Sequence, residues 1–253
     1  MIRSIWVVLN MLIVTPPLAL AIIIRSFMRG PAEAFYDRIP RIWAQWALRT
    51  SGADVTAIGL ENVAPGRPQI FIANHVSWMD VLVLATSIPK RYRFIGKKEL
   101  ARVPLWGRAW VAAGHIPIDR SDTQAAIESL DRAAKVIRQD SSSVIIFPEG
   151  TRSATGALLP FKKGAFMLAV HAGIEIVPVA ITGTRHMLAK GSWRVRSGRI
   201  IVRFGAPIAA AGYSASTREE LISRVRTAME EMLASDVPDQ SEANVGNHQR
   251  TRP

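Results

Sequence analysis

The chain has 253 residues, with 32 lysines and arginines against 20 acidic residues, a net charge of +12 and a pI near 10.9. That length holds one sizeable α/β domain with at most a small appendage. The absence of cysteine excludes disulfides, thiolate metal sites and a cysteine acyl-enzyme. The charge points to an anionic partner, while a 49% hydrophobic composition and positive mean hydropathy favour lipid over nucleic acid.

Residues 5–24 form a mostly apolar run, roughly long enough to cross a bilayer as a straight helix. Pro16 and Pro17 interrupt it and are expected to break or kink it. Arg3 precedes the run, and Arg25 and Arg29 follow it. Positive charge at both ends suits a segment that dips into the membrane better than one that crosses it. No persuasive signal-peptide cleavage site follows. Residues 32–51 are amphipathic, with Trp43 and Trp46 among Asp37, Arg38, Arg41 and Arg49. Two readings fit: an interfacial helix with its arginines toward lipid phosphate, or a surface helix packed on the domain.

Beyond residue 52, strands and helices alternate. Strands are expected at 54–58, 69–73, 92–95, 115–118, 144–147 and 175–181. Helices are expected at 80–87, 105–112, 123–139, 163–172 and 216–234. Asp122 reads as the cap of the helix at 123–139, with Ala126, Ile127, Leu130, Ala134 and Ile137 on one face. Residues 193–196 and 200–204 flank Ser197-Gly198-Arg199, a hairpin pattern. Ser216 with Glu219, or Thr217 with Glu220, reads as a capping box. The polar tail from 236 reads as disordered. The pattern predicts an α/β fold: a mixed, partly parallel sheet flanked by helices, behind an N-terminal membrane-associated helical segment. Its expected parts are 1–52 for membrane attachment, 53–235 for catalysis and the tail at 236–253.

Four segments stand out. In Asn74-His75-Val76-Ser77-Trp78-Met79-Asp80, a histidine and a carboxylate lie five residues apart where a strand gives way to a helix. On one helix that spacing turns through about 500°, so the two meet only if His75 sits at or before the first turn. A carboxylate on one ring nitrogen would orient the other as a general base. A capping Asn74 beside a buried histidine is the plainer reading. No nucleophile-elbow serine is present, so the base would act directly on a substrate group. Phe147-Pro148-Glu149-Gly150-Thr151-Arg152 follows a buried strand, where ligands of open α/β sheets gather. Gly150 permits close backbone approach, and Arg152 offers a fork for phosphate. Lys97 and Arg120 each follow a short strand and could converge on one anion, whereas Lys98 reads as a solvated charge. The fourth segment, Ile176-Val177-Pro178-Val179, reads as a core strand with an edge or bulge proline. The five histidines (His75, His115, His171, His186 and His248) show no metal-ligand spacing.

In order and spacing, these segments resemble the four blocks of the 1-acyl-sn-glycerol-3-phosphate acyltransferase (PlsC-type) family, over roughly residues 69–204. Pro117 stands where the family pattern Gly-x-x-Phe-Ile-Asp-Arg has phenylalanine. The resemblance implies transfer of a fatty acyl group from acyl-CoA or acyl carrier protein to the 2-hydroxyl of lysophosphatidate at the membrane. The face implied is the cytoplasmic side of the inner membrane. His75 would take the hydroxyl proton and Asp80 would hold its tautomer, with no acyl-enzyme, metal or cofactor. Arg152 would hold the acceptor phosphate, with Lys97 and Arg120 next. Glu149 would order the loop or a substrate hydroxyl, Gly150 and Thr151 would line the site, and the Gly150 amide would be an oxyanion donor. Another lysolipid, such as lyso-ornithine lipid, is the alternative acceptor.

Overall fold

A computed structural model of the chain describes residues 1–119 and 123–235, and their side chains except those of 123–127, 136 and 138. Arg120, Asp122 and the tail at 236–253 lie outside the described residues.

Two helices open the chain, α1 (Ile2–Ser26) and α2 (Glu33–Ser51). A seven-stranded sheet follows, made of β1 (Ala53–Ile58), β2 (Ile70–Ala73), β3 (Tyr92–Lys97), β4 (Ile116–Ile118), β5 (Ser143–Ile146), β6 (Ile176–Thr182) and β7 (Gly198–Phe204). Between and after the strands come α3 (Met79–Ser87), α4 (Trp106–Ala112), α5 (Thr123–Asp140), α6 (Gly164–Ala172), α7 (Thr184–Met187) and α8 (Arg218–Ser235). The strand order is β1-β7-β6-β2-β5-β3-β4, and every pairing is parallel except β6 with β7.

The central strands are apolar throughout because both faces are covered. Phe71, Ala73 and Ile145 face one core, shared with α2 and α3. Ile70, Ile72, Val144 and Ile146 face the other, shared with α5, α6 and α8. The parallel pairing of β2 with β5 is the feature that places the site. It brings the chain after Ala73 and the chain after Ile146 to the same sheet edge.

Three expectations need correction, and the reading of Pro178 is settled by the sheet register. Pro16 and Pro17 do not break α1, which runs through both. Tertiary contacts hold it: Trp43 Nε1 of α2 donates to Thr15 Oγ1 at 2.9 Å, and Ala19 and Ile22 pack against α4. Residues 193–196 form no strand, because β7 already has β1 and β6 on its two edges. Their amides turn elsewhere, Arg196 N to Met187 O and Val195 N to Ser4 Oγ in α1. Pro178 bears out the bulge form of its edge-or-bulge reading: it sits in a central strand, where the Val179–Phe204 and Ile176–Ile208 pairings leave one extra residue on the β7 side. Its missing N–H falls on the β7 side, where the antiparallel ladder lapses between the Phe204 and Ile208 pairings. Thr217 precedes α8, but its hydroxyl accepts the Ser214 amide and does not close a capping box. Pro117 lies on the edge strand β4, opposite Gly96.

The packed reading of α2 holds for its inner face, where Ala44, Ala47, Leu48 and Ser51 are buried. Arg41 turns inward, away from the expected lipid phosphate. Its guanidinium donates to the carbonyls of Ala85 (3.3 Å), Ile88 (2.6 Å) and Lys90, which close the end of α3, and lies over the Tyr92 ring. Asp37 of the same helix accepts from Arg91 (3.0 Å) and Arg93 (2.6 Å). Trp46 and Ile42 remain exposed on the outer face. Arg41→Met keeps the stem but strands these carbonyls; it is expected to lower unfolding stability by about 2–3 kcal/mol in denaturant titration.

Candidate active site

β2 ends at Ala73, and the chain turns sharply before α3 begins at Met79. His75 lies in that turn, ahead of the helix, and Asp80 lies in the first helical turn. The two therefore meet as their spacing requires. His75 Nδ1 is 2.8 Å from Asp80 Oδ2, and Asp80 is fully buried. The same carboxylate oxygen accepts the amides of Val76 (2.7 Å) and Ser77 (2.8 Å). Two amide donors define Oδ2 as an acceptor, so Nδ1 carries the proton and Nε2 presents a lone pair. The ring stacks on Phe147, with centroids 4.0 Å apart and planes 18° from parallel. Stacking and the carboxylate together fix both tilt and tautomer.

Asn74 is not a helix cap. Its side-chain amide pairs with the backbone of Ile181, Nδ2 to the carbonyl at 3.0 Å and Oδ1 from the amide at 2.7 Å. It continues the contact between β2 and β6 after the ladder stops.

The loop after β5 grips the main chain of His75 on both sides. Glu149 Oε1 accepts the His75 amide at 2.8 Å, and Ser153 N donates to the His75 carbonyl at 2.7 Å. Glu149 Oε2 accepts the Leu159 amide at 3.0 Å, and the residue is buried. Burial pushes the Glu149 carboxyl up from its ordinary value, against the lowering by those two backbone bonds. Both carboxylate oxygens thus help to order the loop, one of the two roles expected of Glu149. Gly150 adopts φ +71, a conformation that favours glycine. Its amide closes the turn onto Phe147 O at 3.1 Å in this conformation.

Arg152 projects over Trp78, its guanidinium carbon 4.8 Å from the ring centroid. Lys190 Nζ donates to the Arg152 carbonyl at 2.7 Å. Lys98 pairs with Asp119 at 2.6 Å and is not a merely solvated charge, while Lys97 is exposed at the end of β3. Arg120 is outside the described residues, so its convergence with Lys97 has no structural description. Trp78, Phe147 and Lys190 are site residues that the sequence reading left without a role. The first two lay inside recognised blocks, but nothing local marks Lys190.

These groups border a cavity of about 710 Å³. His75, Lys97, Thr151 and Arg152 supply its polar lining, with Gly150 beside them. Thr15, Ser51, Tyr92 and His115 also line it, and its apolar wall comes from α1 (Met11, Leu18, Ile22), α2 (Ile39, Trp43) and α4 (Trp106, Trp110). The N-terminal helices therefore form a wall of the site. Among the described residues, no three histidine or acidic side chains come together as a metal site.

The acyltransferase family model matches residues 54–182, half of the chain. The chain belongs to the acyltransferase family. A 1-acyl-sn-glycerol-3-phosphate acyltransferase of Cocos nucifera is 46% identical over 139 residues, 55% of this chain and 45% of that protein. The corresponding Saccharomyces cerevisiae protein is 36% identical over 184 residues, 72% of this chain and 60% of its own. The chain thus spans about half the length of the plant relatives it matches. The crystal structure of the 1-acyl-sn-glycerophosphate acyltransferase PlsC of Thermotoga maritima superposes with a TM-score of 0.81 at 25% identity, covering 94% of this chain and 96% of that one. The fold of this acyltransferase, N-terminal helices included, is thus shared with a solved relative.

His115, buried beside Trp110 and lining the cavity, has its pKa pushed down to about 3 by burial and then by Arg93. In the unfolded chain it takes up a proton near pH 6.5, but in the folded chain only near pH 3. Between those values the unfolded state holds the extra proton, so stability falls as pH falls, by about 1.4 kcal/mol per unit. His115→Asn is expected to remove that slope below pH 6, read as the difference between the two proteins' urea unfolding curves.

Proposed function

We propose that this acyltransferase moves a fatty acyl group from a thioester, acyl-CoA or acyl carrier protein, to the 2-hydroxyl of 1-acyl-sn-glycerol 3-phosphate. The product is phosphatidic acid for phospholipid synthesis. The observation that carries the reading is His75, oriented by buried Asp80, facing a largely apolar cavity of about 710 Å³ that Arg152 and Lys97 also line.

The acceptor hydroxyl donates to His75 Nε2. As its oxygen attacks the thioester carbon, the proton passes to Nε2, and Asp80 stabilises the imidazolium through Nδ1–H. The tetrahedral intermediate then collapses: the carbon–sulfur bond breaks, the ester remains, and His75 returns the proton to the departing thiolate. No metal or cofactor enters these steps. Arg152 holds the acceptor phosphate, with Lys97 and then Arg120 adding positive charge. Glu149 acts through His75 as a positioning residue. The apolar cavity takes acyl chain, its wall shared by α1, α2 and the catalytic sheet.

The membrane supplies the lysolipid acceptor and receives the product. Helix α1 is long and apolar enough to cross a bilayer by length and composition. It nonetheless touches the rest of the protein near both ends, through Arg3 and Ser4 at one and Ala19 and Ile22 at the other. Its opposite face exposes Ile2, Ile5, Leu9, Leu12 and Ile13. A helix sunk in one leaflet fits these contacts better than a span that leaves the domain behind. Arg38 and Arg49 on the outer face of α2 would meet anionic headgroups beside Trp46. The basic flanks favour the cytoplasmic face of the inner membrane.

His75→Ala is expected to lower lysophosphatidate-dependent thiol release about 10²–10⁴-fold with the fold retained; near-normal turnover in the folded variant would sink the mechanism. Arg152→Ala is expected to raise the KM for lysophosphatidate about tenfold or more and to leave the KM for the thioester unchanged. A panel of acceptors tests the phosphate: a faster rate with phosphate-free lyso-ornithine lipid would overturn that assignment.

A further inference from the structure

His115 is a polar group of the cavity lining that the proposed mechanism does not use. His115 is 7% exposed, and its ring lines the cavity wall. The Phe94 amide donates to its Nδ1 at 3.1 Å, so the ring proton sits on Nε2. Phe94 and Trp110 flank the ring, with centroids at 5.6 and 5.4 Å. Ala109 of α4, Ala113 just beyond it, and Ala19 and Ile22 of α1 pack together and also line the cavity, and all are apolar. Among the described residues, Nε2–H has no protein partner.

The sheet register locates it. His115 precedes Ile116, which pairs with Ile95, so it stands opposite Phe94. Phe94 is in line with Ile145 of β5 and, through it, with Phe71 of β2. His75 is four residues beyond Phe71 and three strands across. At about 3.3 Å per residue and about 4.8 Å per strand, the two backbones lie of the order of 20 Å apart. His115 therefore belongs to the end of the cavity remote from the reacting carbon.

A donor in this position is in conflict with a plain hydrocarbon ligand. Methylenes filling the cavity would exclude water from Nε2–H and return no hydrogen bond. Protonation offers no relief, because burial and Arg93 keep the ring neutral. A ligand oxygen at that depth removes the conflict. Sites with a committed polar group discriminate strongly against analogues that lack its partner.

We infer that His115 Nε2–H is a hydrogen-bonding subsite for an oxygen, hydroxyl or oxo, carried on the distal part of a long acyl chain in the cavity. The inference rests on the acyl-chain reading of the cavity given above. The chain belongs either to the thioester donor or to the 1-position of the lysolipid acceptor, and the chemistry of recognition is the same for both.

The test is a positional scan in two arms. In one, thioesters of equal chain length carry no oxygen or a single hydroxyl stepped along the distal half. In the other, the hydroxyl is stepped along the acyl chain of lysophosphatidate. The expected result is a maximum in kcat/KM at one position in one arm, on the order of tenfold above the plain chain. The arm that shows it identifies the source. His115→Asn retains an oxygen acceptor for the Phe94 amide and withdraws the donor from the cavity, and is expected to flatten that maximum. A flat wild-type profile in both arms overturns the inference, as does a maximum that persists in folded His115→Asn. If wild type acylates no lysolipid, the functional reading fails separately. The subsite is then decided by tryptophan-fluorescence titration of wild type and His115→Asn with hydroxylated and plain long-chain acyl thioesters: selectivity lost in the variant supports it, and equal affinities in wild type overturn it.

Discussion

The site depends on a buried carboxylate that joins two loops. Glu149 lies at the end of β5 and His75 just beyond β2, and parallel pairing makes these ends neighbours. Closed off from water, the carboxylate must find donors within the protein, and the His75 and Leu159 amides supply them. The bond from His75 N, with the return bond from Ser153 N to His75 O, ties the His75 turn and the arginine-bearing loop together. A histidine in an unsupported turn would wander, and a general base has to be held within hydrogen-bonding reach of one proton. Asp80 completes the arrangement from the other side. Its single oxygen Oδ2 gathers three donors, so the turn and the imidazole tautomer are set by the same atom.

The two halves of the cavity come from different parts of the chain and perform different work. Loops at the carboxyl ends of parallel strands bring the polar groups, as open α/β sheets generally do. Helices α1, α2 and α4 bring the apolar wall. The N-terminal helices are therefore part of the binding site as well as a candidate membrane anchor. Their attachment is specific: Arg41 closes α3, Asp37 pairs with Arg91 and Arg93, and Trp43 reaches Thr15. In the proposed reaction, an acceptor lipid in the membrane and His75 beside the sheet meet only if those helices stay docked.

Much of the local structure was legible from pattern. Apolar runs bounded by turn residues located all seven strands within about two residues, β7 as the second arm of a hairpin whose first arm does not exist. That error has a plain cause. The alternation at 193–196 is compatible with a strand, but pairing requires a free edge, and β7 has none. The prolines misled for a related reason. Pro16 and Pro17 carry a penalty that local propensity counts in full, whereas docking of α1 onto α2 and α4 outweighs it. Arg41 was read outward because amphipathicity assigns a charge to water or headgroups; helix-end carbonyls on a neighbouring element are invisible in sequence.

The sequence by itself determined the chemistry at the strand ends. His75, Asp80 and the Glu149–Arg152 loop stand in blocks whose order and spacing are read along the chain, and each lies where a short element stops. The tertiary structure decided what those residues face. It committed Glu149 and the Gly150 amide to the loop itself, set Trp78 under Arg152, walled the cavity with residues from α1, α2 and α4, and left the Nε2–H of His115 among apolar groups. The division is physical. Periodicity and turn chemistry act over a few residues and are written locally, whereas a cavity is the space left when segments a hundred residues apart pack together, and its lining belongs to none of them alone.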